Sequence, residues 1–105
     1  MIDAPIVARA EAAAQLIRPQ AEAIERERRL PAKAVAALVD AGVFKLLVPQ
    51  RYGGAETSVA TLAAVIEAIA RADGSAGWCA MIGATSGLMS AFLREATARE
   101  VFSPP

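Results

Sequence analysis

Between Asp73 and Arg94 this 105-residue chain runs for twenty residues without a charge, and that run restricts its folding more than any other feature. The stretch Asp73–Leu93 reads DGSAGWCAMIGATSGLMSAFL. At helical spacing it separates into two stripes. Trp78, Ile82, Thr85, Met89 and Phe92 follow one side. Ala76, Ala80, Gly83, Gly87 and Ser90 follow the opposite side, because an offset of two residues turns roughly 200° about a helix axis. One side is bulky and the other is nearly bare backbone. Neither suits water, so the stretch is expected to be buried in lipid or in protein.

Ala76–Leu93 holds eighteen uncharged residues, a rise of roughly 27 Å as a helix and close to a bilayer span. Gly83-x-x-x-Gly87 also matches a packing motif of membrane helices. Against lipid stand Thr85, Ser86, Ser90 and the glycines, which keep the run only moderately apolar. No lysine cluster or aromatic belt flanks it. The neighbouring segments each carry one apolar stripe, which needs a protein partner. The expectation is therefore a buried central helix and no membrane partner. Gly83 and Gly87 then either admit a neighbouring helix closely or leave room for a ligand.

The rest of the chain reads as helices around that one. From Pro5 to Arg29, Val7, Ala10, Ala14, Ile17, Ala21 and Ile24 form a regular stripe. Pro19 removes a backbone donor and predicts a kink near Gln15–Arg18, with the stripe keeping its phase. Glu25–Arg29, ERERR, is expected to be a solvated end whose basic residues suit a helix C-terminus. Pro31 opens a second helix with Val35, Leu38 and Val39 inward, and Gly42 stops it. Val43–Pro49 is too short for a capped helix and reads as an extended or 3₁₀ link. Gln50–Glu56 is a loop, in which Gly53-Gly54 permits a sharp reversal or the close approach of a ligand. Thr57 or Ser58 caps the next helix, with Val59, Leu62, Ile66 and Ile69 inward and Glu67 paired to Arg71. Asp73-Gly74 ends it and Ser75 is placed to cap the apolar helix. A last helix spans Arg94–Phe102. Nothing alternates with period two, so the fold class is all-α, about five helices in one domain, 1–105.

Several chemistries are excluded by what the chain lacks. It has no histidine and one cysteine, so it offers neither a Ser–His or Cys–His nucleophile nor a metal site built on those ligands. No close carboxylate pair suggests acid–base work. Eleven basic and eleven acidic residues cancel, which does not favour nucleic acid. No GxGxxG or phosphate-loop lysine accompanies the glycines. Cys79 cannot pair within the chain, is expected buried and inert, and fits a reducing, cytoplasmic setting. Met1–Arg9 has no signal-peptide pattern. Trp78 follows a helix start by one turn and is read as core or as a pocket wall. These residues form no complete active site, and no catalytic residue is assigned.

Taken together and in order, Glu25–Pro31 (ERERRLP), Ala41–Pro49 (AGVFKLLVP), Tyr52-Gly53-Gly54 and Ala70–Ser75 (ARADGS) resemble the N-terminal helical domain of the acyl-CoA dehydrogenase superfamily. The resemblance covers about residues 7–102. Ala76-Gly77-Trp78-Cys79 looks closer to the branch that contains flavin-dependent monooxygenases. The resemblance implies a five-helix orthogonal bundle as the first of three domains, followed by a β domain and a C-terminal four-helix bundle. It implies FAD or FMN held mainly by those two domains, usually across a homotetramer, with no cofactor bound by this chain alone. In dehydrogenases of the family, a carboxylate from the C-terminal part removes a proton while a hydride passes to the flavin. In the monooxygenase branch, reduced flavin from a partner reductase reacts with oxygen. The chain departs from hydroxylase members in having Thr85 and Ser86 where a histidine is often placed. Carried over by position, Tyr52, Gly53 and Gly54 are expected near the mouth of a substrate cavity and Ser75 and Trp78 at its inner wall. A free-standing helical interaction module, using the bulky stripe of Asp73–Leu93, is the competing expectation.

Overall fold

Asp3, Ser58 and Asp73 set where the main helices begin. The computed structural model describes residues 1–104, with six α-helices joined by short 3₁₀ turns. Helix α1 spans Ala4–Ile17 and starts where the Asp3 carboxylate accepts from the Ile6 amide at 3.2 Å. The 3₁₀ turn Arg18–Gln20 follows at Pro19, and α2 resumes over Ala21–Glu27. The expected kink is therefore a short 3₁₀ hinge. Ala10, Ala14, Ile17 and Ile24 are buried on both sides of it, so the stripe does keep its phase. Counting α1 and α2 as one interrupted helix gives five helical units.

Helix α3, Ala32–Asp40, follows Pro31 and ends before Gly42, whose φ of +76° is open to glycine at little cost. Its buried side is Ala34, Ala37 and Leu38. The expectation of Val35 and Val39 inward is corrected: both are exposed, because the small face lets α3 lie close to α1. The Val43–Pro49 link begins with the 3₁₀ turn Val43–Lys45, and a second such turn, Gln50–Tyr52, follows it. Helix α4, Val59–Ala72, starts at Ser58, whose hydroxyl accepts from the Thr61 amide at 3.1 Å. Leu62, Val65 and Ile69 face inward, Ile66 is half-buried and Val59 is exposed, a shift of the stripe from the sequence expectation. Glu67 and Arg71 do pair on the wet side.

Helix α4 lies between α1 and α5, Gly74–Thr85, and these three make the principal contacts of the fold. Ile17 of α1 and Val65 and Ile69 of α4 are fully buried there, and Leu38 of α3 and Leu46 of the link complete the same core. Alanines fill much of the remaining core, including Ala34, Ala76, Ala80 and Ala84. The N-terminus is tied down at a distance. The buried Thr61 hydroxyl accepts from the Asp3 amide at 2.9 Å, and Ser58 donates to the Met1 carbonyl at 2.7 Å. A small second cluster, Val48, Tyr52 and Ala98, joins the link to α6, Glu95–Phe102.

The apolar run is not one helix and not a central one. It divides at Thr85 into α5 and the 3₁₀ segment Ser86–Phe92, and it is buried along one side only. Among the described residues, no helix is long and apolar enough to cross a membrane.

Candidate functional site

Helix α5 begins where the Asp73 carboxylate accepts from the Ala76 amide at 2.8 Å. Asp73 is thus the cap, and the expectation that Ser75 serves that role is corrected. Behind this cap the small side of α5 turns inward. A β-carbon on Gly77 would lie 2.6 Å from the Ala70 β-carbon, and one on Gly83 would collide with the Phe44 ring. Farther along, a β-carbon on Gly87 would reach 3.0 Å from the Val48 amide nitrogen. The room beside Gly83 and Gly87 is therefore filled by the chain itself. Close packing, rather than a ligand wall, explains these glycines.

The bulky side faces outward. Trp78 is 64 % exposed, Ile82 50 %, Met89 55 % and Phe92 80 %. Burying the small stripe lets α4 and Phe44 come near the α5 backbone, and the cost is that the large side chains find no partner within the chain. In the 3₁₀ segment residues three apart eclipse one another, so Ser86, Met89 and Phe92 share a side and extend the face beyond α5. The result is a row of exposed apolar side chains, Trp78, Ile82, Met89 and Phe92, with Thr85 and Ser86 between its two halves. Single exposed apolar residues are ordinary on a protein surface, but several on one face point to a surface that is covered.

Polar groups on this face are few. Thr85 Oγ1 donates to the Met81 carbonyl and Ser86 Oγ to the Ile82 carbonyl, both at 2.8 Å. Each keeps acceptor capacity but has its proton committed to the helix. Cys79 is exposed, which corrects its expected burial. Ser75 and Cys79, one turn apart, open on a hollow of about 340 Å³ that Arg28, Arg29, Glu25 and Ile24 complete. Arg28 there ends α2 with φ of +56°, a conformation uncommon outside glycine. The face can bind and orient an apolar group. With neither carboxylate nor imidazole along the strip, it has no evident acid or base.

The Tyr52–Gly54 loop lies elsewhere. Tyr52 is buried, packed with Val48 and Ala98, with the Arg51 and Arg99 guanidinium groups 4.9 and 5.4 Å from its ring centre. Arg99 also donates to the Arg51 carbonyl at 3.2 Å and pairs with Glu95 at 3.0 Å. Gly53, with φ of +88°, borders a different hollow, and a β-carbon on Gly54 would collide with the Val48 carbonyl. Ser75 and Trp78 therefore sit on one helix face, whereas Tyr52, Gly53 and Gly54 form no shared hollow with them. The sequence marks Met89 and Phe92 as part of the bulky stripe, but the expectation of a buried central helix is corrected: that stripe faces outward. The signal was present, since the opposite stripe, Ala76, Ala80, Gly83, Gly87 and Ser90, held only small residues.

The outward face offers a surface along which a bound group could lie, not a socket that encloses one. The glycines at which a bound group could approach the α5 backbone are occupied by Ala70, Phe44 and Val48 of the same chain.

A sequence profile described as acyl-CoA dehydrogenase, N-terminal domain, matches residues 7–101. The chain belongs to that family. Among its relatives, an indole-3-acetate monooxygenase of Pseudomonas putida is 44 % identical over 59 residues, covering 56 % of this chain and 15 % of the relative. The flavin-dependent monooxygenase oxygenase subunit HsaA of Mycobacterium tuberculosis is 42 % identical over 66 residues, or 63 % of this chain and 17 % of HsaA. An FADH(2)-dependent resorcinol hydroxylase, oxygenase component, of a Rhizobium species is 34 % identical over 94 residues, or 89 % and 23 %. The chain thus spans less than a quarter of the relatives it matches. Its relatives are flavin-dependent oxygenase components, which agrees with the branch suggested by Ala76–Cys79.

Proposed function

We propose that this chain is the N-terminal substrate-cavity domain of a flavin-dependent oxidoreductase of the acyl-CoA dehydrogenase superfamily, in its monooxygenase branch. The observation that carries the reading is the uncovered strip of α5 and the 3₁₀ segment after it. Trp78, Ile82 and Met89 form one wall over which an apolar or aromatic substrate lies. A middle β domain and a C-terminal helical bundle, the further parts of such a protein, close the other sides and hold FAD or FMN. The flavin, when bound there, supplies the reaction with oxygen. This chain's residues bind and orient the substrate and exclude water from it; Trp78 has the flat apolar surface for stacking. Ser75 stands at the N-terminal edge of that wall, with Tyr52, Gly53 and Gly54 at a separate outer edge. A homotetramer is the assembly proposed with it.

The relatives favour oxygenation over acyl-CoA dehydrogenation, since those compared are named as monooxygenases or a hydroxylase. The test is a chimera in which residues 7–101 replace the matching segment of the resorcinol hydroxylase oxygenase component. Trp78→Ala in that chimera is expected to raise the KM for the aromatic substrate about fivefold or more, the loss of one stacking contact of about 1–3 kcal/mol. Affinity for reduced flavin should stay the same. Equal KM values with and without Trp78 would overturn the cavity-wall role.

A further inference from the structure

A second hollow, of about 560 Å³, lies between α3, the Val43–Pro49 link and the tail after α6. It shares no lining residue with α5, and nothing about it depends on the proposed function. Val39, Phe44, Val48, Val101 and Phe102 give it an apolar lining. Its volume falls in the range of small-molecule sites, which are mostly apolar with a few placed polar groups. Val39 and Val101 are 49 % and 58 % exposed, so two of its apolar side chains remain open to an occupant.

Charge decides what that occupant is. Lys45 is the one charged side chain among the lining residues, and no acidic residue lines the hollow with it. Lys45 Nζ donates to the Ser103 carbonyl at 3.1 Å. That bond fixes the ammonium at the rim and uses one of its three donors, leaving two. Among the described residues no carboxylate lies within ion-pair distance of it. We propose that this hollow binds a small apolar carboxylate, its hydrocarbon part against Phe44, Val48 and Val101 and its carboxylate on Lys45. A neutral molecule would leave the ammonium without a counter-charge. An amine would place two cations together.

The 105-residue chain can be titrated with octanoate, octanol and octylamine while the backbone amide resonances are followed. Octanoate is expected to give saturable shifts at Lys45, Val48, Gly53 and Val101, octanol weaker ones, and octylamine none that saturate. A half-exposed ion pair contributes up to about 1 kcal/mol, so Lys45→Gln should weaken octanoate about fivefold and leave octanol unchanged. Lys45→Glu should reverse the preference towards octylamine. Val39→Asp, at an exposed position that leaves the core intact, should weaken octanoate by a similar factor and guards against a folding defect at Lys45. The proposal fails if octanoate does not saturate, if the three probes bind alike, or if neither charge change alters the order.

Discussion

Gly77 carries the clearest single-residue consequence of the packing. Alanine is the better helix former by about 1 kcal/mol, so on propensity alone Gly77→Ala should stabilise α5. The neighbour it would meet is the Ala70 β-carbon and backbone of α4, which cannot swing aside as a long side chain can. Overpacking of this kind costs about 1–3 kcal/mol. The expected outcome is net destabilisation of up to about 2 kcal/mol, read from the urea midpoint at unchanged slope. Trp78 illustrates the converse. Sequence marks it as core or pocket wall, and in the chain alone it is mostly open to water. Residue type alone could not distinguish these outcomes, because they depend on which face α4 approaches.

At the scale of elements, local signals were read well and non-local ones were not. The Pro19 hinge, the Ser58 cap, the Gly42 stop and the Glu67–Arg71 pair are each set within a few residues and were legible. The outward direction of the bulky stripe was not, since it follows from Phe44 and Ala70 meeting the α5 glycines. The ties from Thr61 to Asp3 and from Arg99 to Tyr52 join residues far apart in sequence and left no periodic trace. The α4–α5 junction shows how near a local reading can come and still miss by two residues. Sequence places the end of α4 at Asp73-Gly74 and the cap of α5 at Ser75, and the structure gives the capping bond to Asp73. Asp73→Ala is expected to cost about 1 kcal/mol of thermal or urea stability. Ser75→Ala should cost less than about 0.5 kcal/mol, as for an exposed residue without a special role. The reverse order would contradict the capping geometry.

For the whole molecule, the fold was legible in the sequence, and the residues of the proposed site are spread over two separate regions of it. Five helical units of an acyl-CoA dehydrogenase N-terminal domain follow from the ordered motifs, and the family match over residues 7–101 agrees. Ser75 and Trp78 are both exposed near the start of α5, whereas Tyr52 is buried with two guanidinium groups against its ring. The exposed side chains of α5 and the segment after it find no partner among the described residues. The chain's core closes well with small residues, and its largest apolar side chains are left outside. A free-standing interaction module would also present such a strip. The two readings differ in what covers it.

Trp78 is the sole tryptophan of the chain, so its fluorescence reports directly on that question. In the isolated chain its emission should be that of a water-exposed indole, readily quenched by added acrylamide. In the chimera carrying a relative's middle and C-terminal domains, with the relative's own tryptophans replaced, the account predicts a blue-shifted emission shielded from acrylamide and further quenched when flavin binds. An indole equally exposed in both, and indifferent to flavin, would contradict the claim that this face is the wall of a flavoenzyme's substrate cavity.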